Sequence, residues 1–175
     1  EEQINRILDP VEITKHAAIR GYIGDWDSFT LGRGKNSYLY RRPSDGKFQF
    51  LQWDSDLAFV EDNEFYNGRE YFKLWIEKSY NIRLFYHFLE DMLRKYTKGS
   101  ARLNAWLEAE RDASPQYDPD IAFYQNFFKN REWRAQNLMG SSRTVPFNIS
   151  TQAGQDFLTN QPIESLTGTA PVSFF

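Results

Sequence analysis

From Ser79 to Thr97 apolar residues recur at 82, 85, 88, 89, 92, 93 and 96. That is the three- and four-residue spacing of one buried helical face, and it predicts a helix. A second helix is expected over about Ala101 to Asp112. A third opens at Asp118 and Pro119 and carries Ile121, Tyr124 and Phe128 toward Leu138, where Gly140 closes it. Near the start of the chain, Asp9, Pro10, Val11 and Glu12 form a helix entry, with an aspartate at the N-cap, proline at the first helical position and an acid placed to complete a capping box. That helix is expected to run to about Tyr22 and stop at Gly24. Asn36 to Tyr40 and Lys47 to Trp53 read as strands, and Arg42-Pro43-Ser44-Asp45-Gly46 between them holds turn residues in turn order, so the two form a hairpin.

Composition bounds what this pattern can be. The chain has 175 residues, 41% apolar and 26% charged, with a net charge of −3. Its length suits one domain with an appendage, and the mild acidity argues against sequence-independent binding of nucleic acid, which needs a basic face. Cysteine is absent, so disulfides, thiolate catalysis and cysteine-ligated metals are excluded. The two histidines, His16 and His87, are too few and too far apart for a histidine-dominated zinc site. No apolar run reaches the roughly 18 residues a membrane span needs.

Aromatic residues divide the chain. All five Trp and all ten Tyr precede Gly140, whereas Ser, Thr, Asn, Gln, Gly and Pro fill 20 of the 35 positions from Ser141 to Phe175. The shift marks a boundary near 140–143. Residues 1–140 are expected to be a mainly α, α+β unit. Residues 141–175 are expected to be a linker and the opening strands of a β-sandwich-like module, from the short apolar pieces at 145–149, 163–166 and 170–175; a disordered linker is the alternative. The chain begins at Glu1 inside a helical pattern, which suggests an incomplete piece of a longer protein.

Two acidic clusters bracket the hairpin: Gly24-Asp25-Trp26-Asp27 after the first helix, and Trp53-Asp54-Ser55-Asp56 at the end of the second strand. Each carries two carboxylates two residues apart beside a tryptophan. Such pairs are common turn formers and caps, but carboxylates leaving a strand end can also present oxygen ligands to a hard cation. Asp54 follows an apolar, aromatic strand directly, where an unpaired buried carboxylate would be costly. If the chain crosses the hairpin once, the clusters lie at the same end. His16 and His87 read as satisfied core or boundary residues, Glu61-Asp62-Asn63-Glu64 as a solvated loop, and Gly32-Arg33-Gly34-Lys35 as a flexible insertion, because it lacks the strand-before and helix-after setting of a phosphate loop.

Gly24-Asp25-Trp26-Asp27, Asn36-Ser37-Tyr38-Leu39-Tyr40 and Gly46 through Asp56, in this order, resemble the CotH (spore coat protein H) family of atypical kinases over roughly residues 1–140. The resemblance implies a protein-kinase-like C-terminal lobe acting outside the cytosol, secreted or at a bacterial cell surface. It implies phosphoryl transfer from ATP with Mg²⁺ or Mn²⁺, Ca²⁺ being an alternative cation, to Ser or Thr hydroxyls of an exported or cell-surface protein. By analogy with kinases, Asp27 is the catalytic aspartate, Asn36 a metal-binding asparagine nine residues on, and Asp54 or Asp56 the strand-end metal ligand, with Asp56 slightly favoured. Asp25 stands where the family often has asparagine, as an added ligand or a turn cap. No glycine-rich loop with a strand-borne lysine is present, so the missing N-terminal lobe belongs to the parent chain and the 175 residues alone are expected to be inactive or weak. Two rivals stand beside this: a carbohydrate-binding or glycoside-cleaving module with Asp27 and Asp54 or Asp56 as an acid–base pair and Trp26 and Trp53 stacking on sugar, and a calcium-stabilised structural module.

Overall fold

Asp9 separates two helices, α1 (Glu2–Ile7) and α2 (Pro10–Tyr22), in a computed structural model that describes residues 2–31, 34–60, 64–66, 70–114, 116, 120–155, 158, 160 and 165–174. The Asp9 carboxylate accepts from the amides of Val11 and Glu12 at 3.1 and 3.3 Å, satisfying two of the otherwise unpaired donors at the start of α2. Strands β1 (Ser37–Arg41) and β2 (Phe48–Gln52) pair antiparallel, with Tyr38 opposite Leu51 and Tyr40 opposite Gln49. Arg42 fastens the hairpin turn to the helix cap, donating to Asp9 Oδ2 at 2.6 Å and to Asp45 Oδ1 at 3.1 Å. The Asp9 amide donates to the Phe48 carbonyl at 3.1 Å, so α2 and the hairpin are registered at one point.

Four helices follow: α3 (Glu70–Ile76), α4 (Ser79–Lys95), α5 (Ala101–Ala113) and α6 (Ile121–Met139). The protein is mainly α in an α+β arrangement, with α2 packed on α4 at the centre. The α4 face follows the apolar spacing: Phe85, Leu89 and Leu93 are buried, while Ile82, Phe88, Met92 and Tyr96 pack partly exposed against the same core. Leu84 is also fully buried, outside that stripe, because α4 contacts α2, α3 and α6 and is covered over a wide arc. The start expected at Asp118 and Pro119 lies outside the described residues; α6 begins at Ile121 with Asp120 as its cap, accepting from the Phe123 amide at 2.9 Å.

Beyond Gly140 a short turn leads to two antiparallel strands of two residues each, β3 (Asn148–Ile149) and β4 (Gly168–Thr169). The chain then lies back on α4. Arg83 donates to the carbonyls of Ala170, Pro171 and Phe174, Arg143 forms an ion pair with Glu90 at 2.6 Å, and Val172 is 3% exposed within the central core. His87 places Nδ1 3.0 Å from the Val172 carbonyl, as a satisfied boundary histidine. Of the tail pieces read from the sequence, Ile163, Glu164 and Phe175 lie outside the described residues.

Candidate functional site

The last turn of α2 sets the site. Gly24 has φ +62° and lies so close to the next segment that a Cβ there would sit 2.4 Å from the Val60 carbonyl oxygen. That segment, leaving the second acidic cluster, runs beside the first: Trp26 N–H donates to Leu57 O at 3.1 Å, Phe59 N–H to Ile23 O at 2.6 Å and Val60 N–H to Gly24 O at 3.3 Å. The two clusters therefore meet at one end of the hairpin.

Arg20 joins them. Its side chain is fully buried and reaches the strand end, donating to Ser55 Oγ at 2.7 Å, Asp54 O at 3.1 Å and Trp53 O at 3.4 Å. Its Nε lies 2.7 Å from Asp25 Oδ2, off the hydrogen-bonding direction, so the contact is one of charge. Burial pushes the Asp25 carboxyl above the usual carboxylate range, opposed by the adjacent guanidinium. Asp25 thus turns inward to a counterion.

Asp27, 4% exposed, faces Asn36. The Asn36 amide donates to Asp27 Oδ1 at 2.7 Å across a sequence separation of nine, and Lys35 brings Nζ to 3.5 Å from Asp27 Oδ2 while its own side chain is 51% exposed. The Asn36 carbonyl accepts from the Trp53 amide at 3.2 Å, closing the open end of the hairpin beside Asp54. Asn36 (φ +59°), Asp54 (φ +48°) and Phe59 (φ +66°) all hold left-handed backbone. Asn and Asp tolerate that region and a bulky Phe does not, and such strain gathers at functional sites. Asp54 and Asp56 are exposed, and Asp54 Oδ1 lies 3.4 Å from the Asp56 amide. Trp26 and Trp53 are 37% and 58% exposed.

Carboxylates and an amide are donors that suit a hard cation. Among the described residues, no three His, Cys, Asp or Glu side chains gather into a metal cluster. Asp27, Asn36 and the Asp54–Asp56 end fit a cation that arrives with phosphates, because Mg²⁺ keeps several waters and takes only one or two protein carboxylates beside substrate oxygens. They do not fit a closed, all-protein calcium cage. Gly32, Arg33 and Glu61–Asn63 lie outside the described residues.

His16 supports the site from below. Its ring packs against the stacked pair of Phe29 and Phe50, at centroid distances of 5.6 and 5.7 Å, and Nε2 is 3.3 Å from Ser37 Oγ. Burial, with the Arg20 charge nearby, lowers its pKa to about 4. A base whose folded pKa is depressed binds its proton more readily when unfolded, so its contribution to stability is complete above the ordinary value near 6.5 and is lost as pH falls toward 4. Urea titrations are expected to show about 2 kcal/mol of stability lost between pH 7 and pH 5 that His16→Phe does not lose. Equal slopes for the two proteins would contradict the buried neutral imidazole.

Arg20 and Lys35 are the residues the sequence reading missed. Arg20 resembles any basic residue in the last turn of a helix, and only the return of residues 53–55 buries it. Lys35 belongs to the stretch expected to be a flexible insertion, although its position next to Asn36 is a usable signal. A hollow of about 430 Å³ lined by Phe65, Tyr66, Trp133 and Leu138 includes none of the four acids, which lie on a more open face. A family model described as CotH kinase protein matches residues 1–108, a span holding both acidic clusters, the hairpin and α4. No curated protein and no solved structure matches the chain.

Proposed function

Because the chain belongs to the CotH kinase protein family, we propose that it carries the acceptor-activating and metal-holding part of an ATP- and Mg²⁺- or Mn²⁺-dependent phosphotransferase acting on Ser or Thr hydroxyls of exported proteins. The observation that carries this reading is the Asp27–Asn36 contact at 2.7 Å beside the Asp54–Asp56 strand end, three elements that phosphoryl transfer requires together. When bound, the nucleotide would supply the phosphoryl group and its cation would neutralise charge that develops on the phosphate oxygens. Asp27, oriented by the Asn36 amide, would hold the acceptor hydroxyl and take its proton as the hydroxyl oxygen bonds to the γ-phosphorus and the bond from that phosphorus to the β,γ-bridging oxygen breaks, releasing ADP. Asn36 and Asp56, with Asp54 beside it, would hold the cation. Lys35, half exposed at the Asp27 carboxylate, offers a positive charge to phosphate oxygens.

On this reading the glycine-rich loop and lysine that cover nucleotide phosphates come from outside residues 1–175, and the chain alone binds nucleotide weakly. No described helix is long and apolar enough to cross a membrane, and action outside the cytosol is part of the proposal. Thermal shift provides the test. ATP with Mn²⁺ is expected to raise the melting temperature, and Asp54→Ala and Asp56→Ala to abolish the rise. A shift with oligosaccharide alone, or with Ca²⁺ alone and no response to ATP, would replace the phosphotransferase with one of the two rivals.

A further inference from the structure

We infer that Arg20 is a positioning residue that sets the separation of the two acidic clusters, and that Asp25 is its counterion rather than a metal ligand; the inference rests on the phosphotransferase reading only for what the clusters bind. The side chain spans the site from one fixed point. Its backbone carbonyl accepts the Asp25 amide at 3.0 Å, and its guanidinium engages the Trp53, Asp54 and Ser55 acceptors of the other cluster. Ser55 Oγ is in turn held by Gln52 Nε2 at 2.7 Å, so the fork is anchored to the end of β2 and not to a loose loop. Asp27 follows Asp25 by two residues, and Asp54 precedes Ser55 by one.

Burying a guanidinium is unfavourable unless its donors are used and its charge is opposed. A helix turn packed on a hydrophobic core gains nothing from a charge there. Both terminal nitrogens of this guanidinium nevertheless donate, every acceptor belongs to the 53–55 segment, and the opposing charge, 2.7 Å from Nε, comes from the first cluster. Asp25 is committed by the same geometry. It is fully buried with Oδ2 on Arg20, and its withdrawal toward a cation would strand the guanidinium. A lysine could keep the charge for Asp25 but cannot span the three acceptors, because it lacks the planar fork.

Two variants and two readouts test this on the chain as it stands. Arg20→Lys keeps the charge and loses the fork. Arg20→Met with Asp25→Asn removes both charges, so no unpaired ion remains to unfold the protein. Amide hydrogen exchange is measured at Asp56 and Ala58, whose N–H groups are paired within the 54–58 turn, and along α4 as a control for global folding. Both variants are expected to exchange at Asp56 and Ala58 at least about tenfold faster with α4 unchanged. The dissociation constant for Mn²⁺·ATP should rise by about 10- to 100-fold, as for other groups that orient metal ligands. Unchanged exchange at Asp56 and Ala58 would overturn the inference. So would equal acceleration along α4, or faster exchange with unaltered affinity. If the parent chain binds no Mn²⁺·ATP, the phosphotransferase reading falls, and the exchange comparison still decides whether Arg20 holds the second cluster in place.

Discussion

Gly21→Ala is expected to destabilise the protein by about 3–5 kcal/mol, the range of severe packing failures. Gly21 lies inside α2 with ordinary helical backbone, and propensity alone would have alanine stabilise an exposed helix by about 1 kcal/mol. Sterics reverse the sign. A Cβ at Gly21 would lie 2.2 Å from the carbonyl oxygen of Phe65 and 3.1 Å from its Cα, atoms of a backbone that cannot rotate away as a side chain would. Nor is Phe65 free to retreat. The Arg131 guanidinium sits 3.9 Å over its ring while donating to the carbonyls of Gly21 and Tyr22, so helix α6 clamps both partners of the clash. Gly99→Ala, where an added Cβ meets nothing, should cost only the left-handed backbone strain of about 1–2 kcal/mol. Urea denaturation of the two variants decides between the arguments, and a Gly21→Ala protein as stable as its parent would show that the 64–66 segment is not held where it is described.

The second large effect is on turnover. In the longer protein that carries the nucleotide-covering lobe, Asp27→Asn is expected to lower the rate of γ-phosphoryl transfer from labelled ATP by about 10²–10⁴-fold, the usual contribution of a positioned general base. Stability and nucleotide affinity should change little, because an asparagine carbonyl can still accept from Asn36 and the side-chain volume is kept. A fall in affinity equal to the fall in rate would reassign Asp27 to binding. An unaffected rate would remove it from the reaction.

Local signals were legible where a short stretch of chain decides the outcome. The Asp9 cap, the turn at 42–46 and the strand pairing of 37–41 with 48–52 all follow from neighbours in sequence, and so does the stripe on α4. The two acidic clusters were also visible, as was the topological reason for them to meet. What the sequence hid depends on contacts between distant segments. Seven residues, Glu70–Ile76, are too few to display a helical period, and α3 is tied down by Trp75 Nε1 donating to Asn5 Oδ1 at 3.2 Å and by Asn81 donating to Trp75 O at 2.9 Å. Gly21 reads as a weak point in a helix until the 64–66 segment is laid against it. Asp25 was open between ligand and turn cap, and only the burial of Arg20, 33 residues before Trp53, decides for a counterion. Val172 stands among turn residues in a polar tail, and nothing nearby in sequence shows that it enters the core beside α4.

The central claim is that Asp27, Asn36 and the Asp54–Asp56 strand end form one site for a metal-bound nucleotide. Paramagnetic broadening of backbone amide resonances by Mn²⁺·ATP tests it most directly. The account predicts broadening centred on residues 25–28, 35–36 and 54–56, removed by excess Mg²⁺·ATP and absent in Asp56→Ala. Broadening centred instead on the Phe65–Trp133 hollow, or none anywhere at millimolar nucleotide, would contradict it.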